Sequence, residues 1–114
     1  MKTFFNGFGT NEATFTAASS VIPGRAVALK SNGKIDYPAA DGLITGIVAS
    51  CKNNVASVIV SGYAVASFRS SLPTVGICKL FPDEEGYMEA DETKGKPYTV
   101  LSVDTKNNTI EFIL

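Results

Sequence analysis

An all-β fold, a small barrel or sandwich with an extended N-terminal arm, is predicted by three features of this sequence. Short β-branched runs alternate with turn residues along most of the chain. No segment carries an apolar repeat at helical spacing over three turns. At 114 residues the chain suits one domain, long enough to close a core without disulfide or metal staples. The expected division is an arm over residues 1–20 and a single β domain over residues 21–114.

Residues 1–20 combine Phe4, Phe5, Phe8 and Phe15 with Gly7, Gly9 and a polar Thr10-Asn11-Glu12 passage. The phenylalanines follow neither strand nor helix periodicity, so they either cap the domain's own core or dock on another chain. A docked arm gains about 2 kcal/mol per buried aromatic. Helix, if present, is confined to a turn or two near residues 11–19. On the docking reading, removal of residues 1–15 weakens attachment and leaves the barrel folded.

From Val21 the pattern is regular. Ile22-Pro23-Gly24 is a turn, and Arg25 to Lys30 is a strand that ends at Ser31-Asn32-Gly33. A two-residue Asn-Gly loop sets Leu29 against Asp36. A three-residue loop with Gly33 in the left-handed region pairs Leu29 with Ile35 and Val27 with Tyr37, and is preferred although it brings Lys30 opposite Lys34. Pro38 ends the next strand, and Ala39 to Gly42 lead into the central hairpin.

That hairpin joins Leu43–Ser50 to Val55–Val65 through Cys51-Lys52-Asn53-Asn54. Loops of two or four residues give the same parity. One face then carries Leu43, Thr45, Ile47, Ala49 and Cys51 with Ala56, Val58, Val60, Gly62 and Ala64, a set fit for close packing. The other carries Ile44, Gly46, Val48, Ser50, Ser57, Ile59, Ser61 and Tyr63, as expected of a face partly covered by another sheet or another subunit. Ile44, Val48, Ile59 and Tyr63 are its candidate contact residues.

After a break at Arg69–Pro73, Thr74–Phe81 reads as a strand closed by Pro82–Gly86. Tyr87–Pro97 reads as a solvated loop with one short strand. Tyr98–Leu114 is a second hairpin, with Thr99, Leu101 and Val103 on one face beside Ile110, Phe112 and Leu114. A four-residue loop opposes Ser102 to Glu111, whereas a two-residue loop places Asp104 against Glu111. Like charges directly opposite are unfavourable, so the longer loop is preferred. Exposed strand edges are then resolved by barrel closure or by an oligomer.

The chemistry-bearing residues are sparse. Ten Lys+Arg against eleven Asp+Glu give a net charge near zero, without the basic footprint of a nucleic-acid binder. The sequence has no histidine, which removes the usual general base and the commonest metal ligand. Cys51 and Cys78 form no C-x-x-C pair and read as free thiols, the alternative being a bond between them. Lys94-Gly95-Lys96-Pro97 lacks the phosphate-cradling glycine spacing, and no serine sits in a nucleophile elbow. No secretory signal, membrane span or myristoylation site is expected, which places synthesis in cytosol. Asp83, Glu84, Glu85, Glu89, Asp91 and Glu92 form an acidic run without EF-hand spacing, read chiefly as solvated, the alternatives being a calcium site or a face for a basic partner. Tyr63, Tyr87 and Tyr98 with Arg69 are a candidate aromatic-cationic patch. No catalytic residue, cofactor or metal site is expected, and the chain is not expected to be an enzyme.

The Pro23-Gly24-Arg25-Ala26-Val27 entry, the Asn32-Gly33-Lys34 turn, the Gly42–Val48 segment, the Val58–Gly62 strand and the Val100–Asp104 hairpin resemble the small capsid decoration, or cement, proteins of tailed bacteriophages. The resemblance covers residues 21–68 and, more loosely, the C-terminal hairpin. It implies an all-β domain, often trimeric, that sits on the outside of an icosahedral head and clamps the major capsid protein. Phe4, Phe5, Phe8 and Phe15 then become candidate capsid contacts, and the virion the expected location. The competing expectation is a small β-barrel module for carbohydrate or peptide, with a concave site lined by some of Tyr37, Tyr63, Tyr87 and Tyr98.

Overall fold

The computed structural model describes residues 9–114, and they contain strands and no helix. The nine strands are β1 (Thr10–Ala17), β2 (Ala26–Ser31), β3 (Lys34–Asp36), β4 (Gly46–Lys52), β5 (Val55–Ser67), β6 (Gly76–Pro82), β7 (Met88–Ala90), β8 (Lys96–Asp104) and β9 (Thr109–Ile113). Five of them, in the order β1-β3-β2-β4-β5, form a barrel that closes where β1 pairs with β5. The remaining strands extend a second sheet from β5 in the order β5-β9-β8-β6-β7. The protein is an all-β small barrel carrying a second sheet on one shared strand.

The shared strand is the longest, at 13 residues, and it changes sheet at Gly62. Gly62 pairs with Thr10 in the barrel and exchanges both backbone bonds with Leu114. Its φ of +92°, and a Cβ position that would collide with the Gly9 carbonyl oxygen, leave glycine as the residue that fits this junction.

Residues 10–17 of the expected arm are part of the domain. They form β1, antiparallel to β5 from Thr10↔Gly62 to Thr16↔Val55 and parallel to β3 at Thr16↔Lys34 and Ala17↔Ile35. Ala13, Phe15 and Ala17 alternate toward the interior, which is why the segment is extended and not helical. Small alanines make that alternation faint in sequence. The β domain therefore begins at β1 instead of Val21. Phe4, Phe5 and Phe8 lie outside the described residues.

Two cores follow from this topology. Ala17, Val27, Ile35, Val48, Ala56 and Val58 fill the barrel. Ala26 and Ile47, from barrel strands, join Ala64, Leu80, Val100 and Phe112 of the second sheet in the other core. A bulge at Ala49 decides which residue serves which. Cys51↔Ala56 and Ser50↔Ser57 follow the expected parity, but beyond the bulge Val48 pairs with Val58 and Ile47 with Ile59. Val48, expected on the half-covered face, is thus inside the barrel, and Ile47 has moved to the second core. The same correction applies at Leu101, where a bulge puts Val100 opposite Phe112.

The turns follow their residues. Asn53 and Asn54 have φ of 53° and 63°, a two-residue loop with both central residues left-handed. Gly33 is left-handed at +68° and Leu29 pairs with Ile35, while Lys34 faces Ser31 because Lys30 is skipped by a register shift. The last hairpin has its four-residue loop, with Ser102 opposite Glu111 and Asp104 opposite Thr109.

Candidate functional site

Two of the four expected contact residues, Ile59 and Tyr63, come together at the surface. They line a groove of about 370 Å³ where barrel and second sheet meet, beside Pro23, Ala64 and Val65, whereas Val48, which borders the same groove, is buried in the barrel core. Ile44 lies apart, in a separate groove with Leu43, Tyr98 and Leu114. Ile44 and Ile59 also pack on the second core, so the chain's own second sheet covers part of the face on which sequence placed them. Tyr63 donates its hydroxyl proton to Glu111, whose carboxylate also accepts from Ser102 Oγ. Phe15, the described member of the aromatic set, is half-buried against the barrel core.

Three exposed apolar side chains fall close together in sequence elsewhere. Leu72, Val75 and Ile77 are 59, 66 and 73% exposed on the connection from β5 to β6 and at the start of β6. A set of polar contacts holds the start of this connection. The Glu89 carboxylate, on β7, accepts from the backbone N–H groups of Arg69 at 3.2 Å, Ser70 at 3.0 Å and Ser71 at 3.1 Å. Three successive amides converging on one carboxylate fix the backbone that leads into Leu72.

Arg69 ties the same segment to the acidic turn. Its guanidinium pairs with Asp83 at 3.0 Å and Glu85 at 2.6 Å, and lies 4.4 Å from the Tyr87 ring centroid. Its pKa is raised, mainly by the hydrogen bond to Glu85. Arg25 stacks on the same ring at 4.3 Å and donates to the Tyr87 hydroxyl at 2.6 Å. Asp83 Oδ1 accepts from the N–H groups of Glu85 and Tyr87, which closes the turn. Asp91 caps Thr93 and Lys94, and the hydrogen bond from the Lys94 backbone lowers its pKa. The acidic run read as solvated is therefore largely engaged in internal hydrogen bonds and ion pairs. Among the described residues no group of three His, Cys, Asp or Glu is placed to hold a metal ion.

The tyrosines occupy four different settings. Tyr87 sits between two arginines, and Tyr98 packs edge-on against Phe112 at 5.5 Å, where burial raises its pKa. Tyr37 accepts from the Ile22 N–H at 3.1 Å, and Tyr63 binds Glu111. Of the expected aromatic-cationic patch, Tyr87 and Arg69 meet. Arg25, absent from that patch in sequence, completes the stack. Both cysteines are free, Cys78 in the second core and Cys51 against the barrel core.

The chain matches no protein-family model, and no curated protein sequence matches it significantly.

Proposed function

We propose that this protein is a structural virion component that binds the outside of an icosahedral phage head and stabilises the lattice of the major capsid protein. The observation that carries the reading is the display of Leu72, Val75 and Ile77 on a segment anchored by Glu89 and Arg69. Both cores are filled without these side chains, so the apolar surface is surplus to folding. A preordered apolar loop suits docking, because little entropy is lost on contact. The resemblance to decoration proteins supplies the partner, the trimeric assembly and the virion location, after synthesis in the host cytoplasm.

The mechanism is mass action. A protein that binds the assembled lattice and not free subunits stabilises the lattice by RT ln(1 + [L]/Kd), about 2.7 kcal/mol per site at a hundredfold excess over Kd. No covalent step is involved. Co-sedimentation with purified heads tests it: saturable binding that Leu72→Asp or Val75→Asp abolishes supports the reading, and heads that leave the protein in the supernatant refute it.

A second reading, a barrel module for carbohydrate or peptide, is favoured by the groove at Tyr63. Glycan or peptide binding lost in a folded Tyr63→Ala variant would establish it.

A further inference from the structure

We propose that residues 1–8, which lie outside the described residues, occupy a track formed by two adjoining grooves, with Phe8 in the apolar groove beside Tyr63 and Lys2 at Asp104. The chain meets this track at Gly9. The Gly9 C=O accepts from the Tyr63 N–H at 3.2 Å, and Thr10 lines the apolar groove together with Ile59, Tyr63, Ala64 and Val65. A second groove continues from Val65 and Thr109, which belong to both, to Ser102, Asp104 and Glu111.

Backbone direction supplies the pairing. Gly62 and Leu114 exchange bonds of 3.3 and 2.8 Å, so Gly62, Ala64 and Ala66 turn their backbone groups toward β9. Tyr63, Val65 and Ser67 turn to the opposite edge, where Gly9 takes the N–H of Tyr63 and Gly24 takes that of Ser67 at 2.8 Å. Between those two bonds, the N–H and C=O of Val65 have no backbone partner among the described residues. Continuing the Thr10↔Gly62 register by three residues sets Gly7 opposite Val65, where an extended segment satisfies both groups. The same register sets Phe8 opposite Ala64, which lines the apolar groove.

Length and charge fit this occupant. From Tyr63 to Ser67, and across Thr109 to Asp104, the path covers roughly 13 Å along β5 and roughly 10 Å over two strand spacings. Extended, the chain from Phe8 back to Lys2 spans up to about 23 Å. Residues 1–8 contain one lysine and no acid, and the groove they reach carries the carboxylates of Asp104 and Glu111. The track holds none of Leu72, Val75 and Ile77, so this contact and the proposed capsid attachment stand or fall separately. It competes with the second reading, whose ligand needs the same groove.

Disulfide trapping in the full-length chain tests the register. Facing Cα atoms in a hydrogen-bonded antiparallel pair lie about 5.5 Å apart, inside the roughly 4.4–6.8 Å that a disulfide spans. Gly7→Cys with Val65→Cys is expected to close within one chain, several-fold faster than Gly7→Cys with Val55→Cys, an exposed site at the other end of β5. Peptide mass mapping separates these bonds from any made by Cys51 or Cys78. Amide exchange at Val65 is expected to be slow in the wild type and several-fold faster in Phe8→Asp, with exchange at Val58 unchanged. Trapping no faster at 65 than at 55 would overturn the proposal. So would a bond from 7 to 65 that joins two chains, or a Val65 amide that exchanges equally in the wild type and Phe8→Asp.

Discussion

Val48 faces Val58 inside the barrel, while Ile47, its neighbour in sequence, faces Ile59 in the second core. One bulged residue, Ala49, lets adjacent side chains of β4 serve two different interiors. Val58 is fully buried, so Val58→Asp places an unpaired charge in the barrel. We expect a loss of more than about 4 kcal/mol, enough to unfold a domain of this size. Circular dichroism and a urea titration read the result, and a native-like variant would contradict the placement of Val58.

The truncation boundary follows from β1. Removing residues 1–8 leaves every strand pairing of β1 in place, whereas removing residues 1–15 takes all but two residues of the stave that closes the barrel. The shorter deletion should melt cooperatively near the full-length temperature. The longer one should lose the cooperative transition in a thermal scan.

Glu89 orders the segment that carries Leu72. Glu89→Ala removes the acceptor for three backbone N–H groups, with hydrogen bonds to charged groups each contributing about 1.5–3 kcal/mol. Hydrogen exchange at Ser70 and Ser71 is expected to accelerate at least tenfold while the barrel amides of β4 and β5 keep their protection. Unchanged exchange at Ser70 would show that the segment is held by other contacts.

The pH dependence has an acid limb and an alkaline limb. Hydrogen bonds lower the pKa of Asp91, from the Lys94 backbone, and of Asp104, from the Asn107 side chain. A lowered carboxylate stabilises above its unfolded value, about 3.9, and that contribution is lost as pH falls through the folded value. Burial raises Tyr98, whose contribution is present below the unfolded value of about 10 and is lost as pH rises through the folded one. Urea midpoints across pH should fall at both ends, with the alkaline fall reduced in Tyr98→Phe.

Local chemistry made much of this legible in sequence. The Asn53-Asn54 turn, the left-handed Gly33, the Leu29↔Ile35 pair and the Ser102↔Glu111 register all follow from residue preference and charge avoidance, and the structure has each of them. Bulges were not legible. Nothing in the composition of Ala49 or Leu101 marks an extra residue, yet each inverts the alternation beyond it, which is why Val48 and Val100 exchanged faces. β1 is faint in sequence because Ala13 and Ala17 are small and Phe15 is a single strong signal among polar neighbours. The Arg25–Tyr87–Arg69 stack joins residues far apart in the chain, and single-sequence periodicity carries no information on such a meeting.

The proposed attachment to a capsid is decided by electron microscopy of particles purified from the source of this chain. Density for the barrel and its second sheet is expected on the outer surface of the head, with Leu72 and Val75 against the major capsid protein. Heads bare of this protein, with the chain recovered only in the soluble fraction of infected cells, would contradict it.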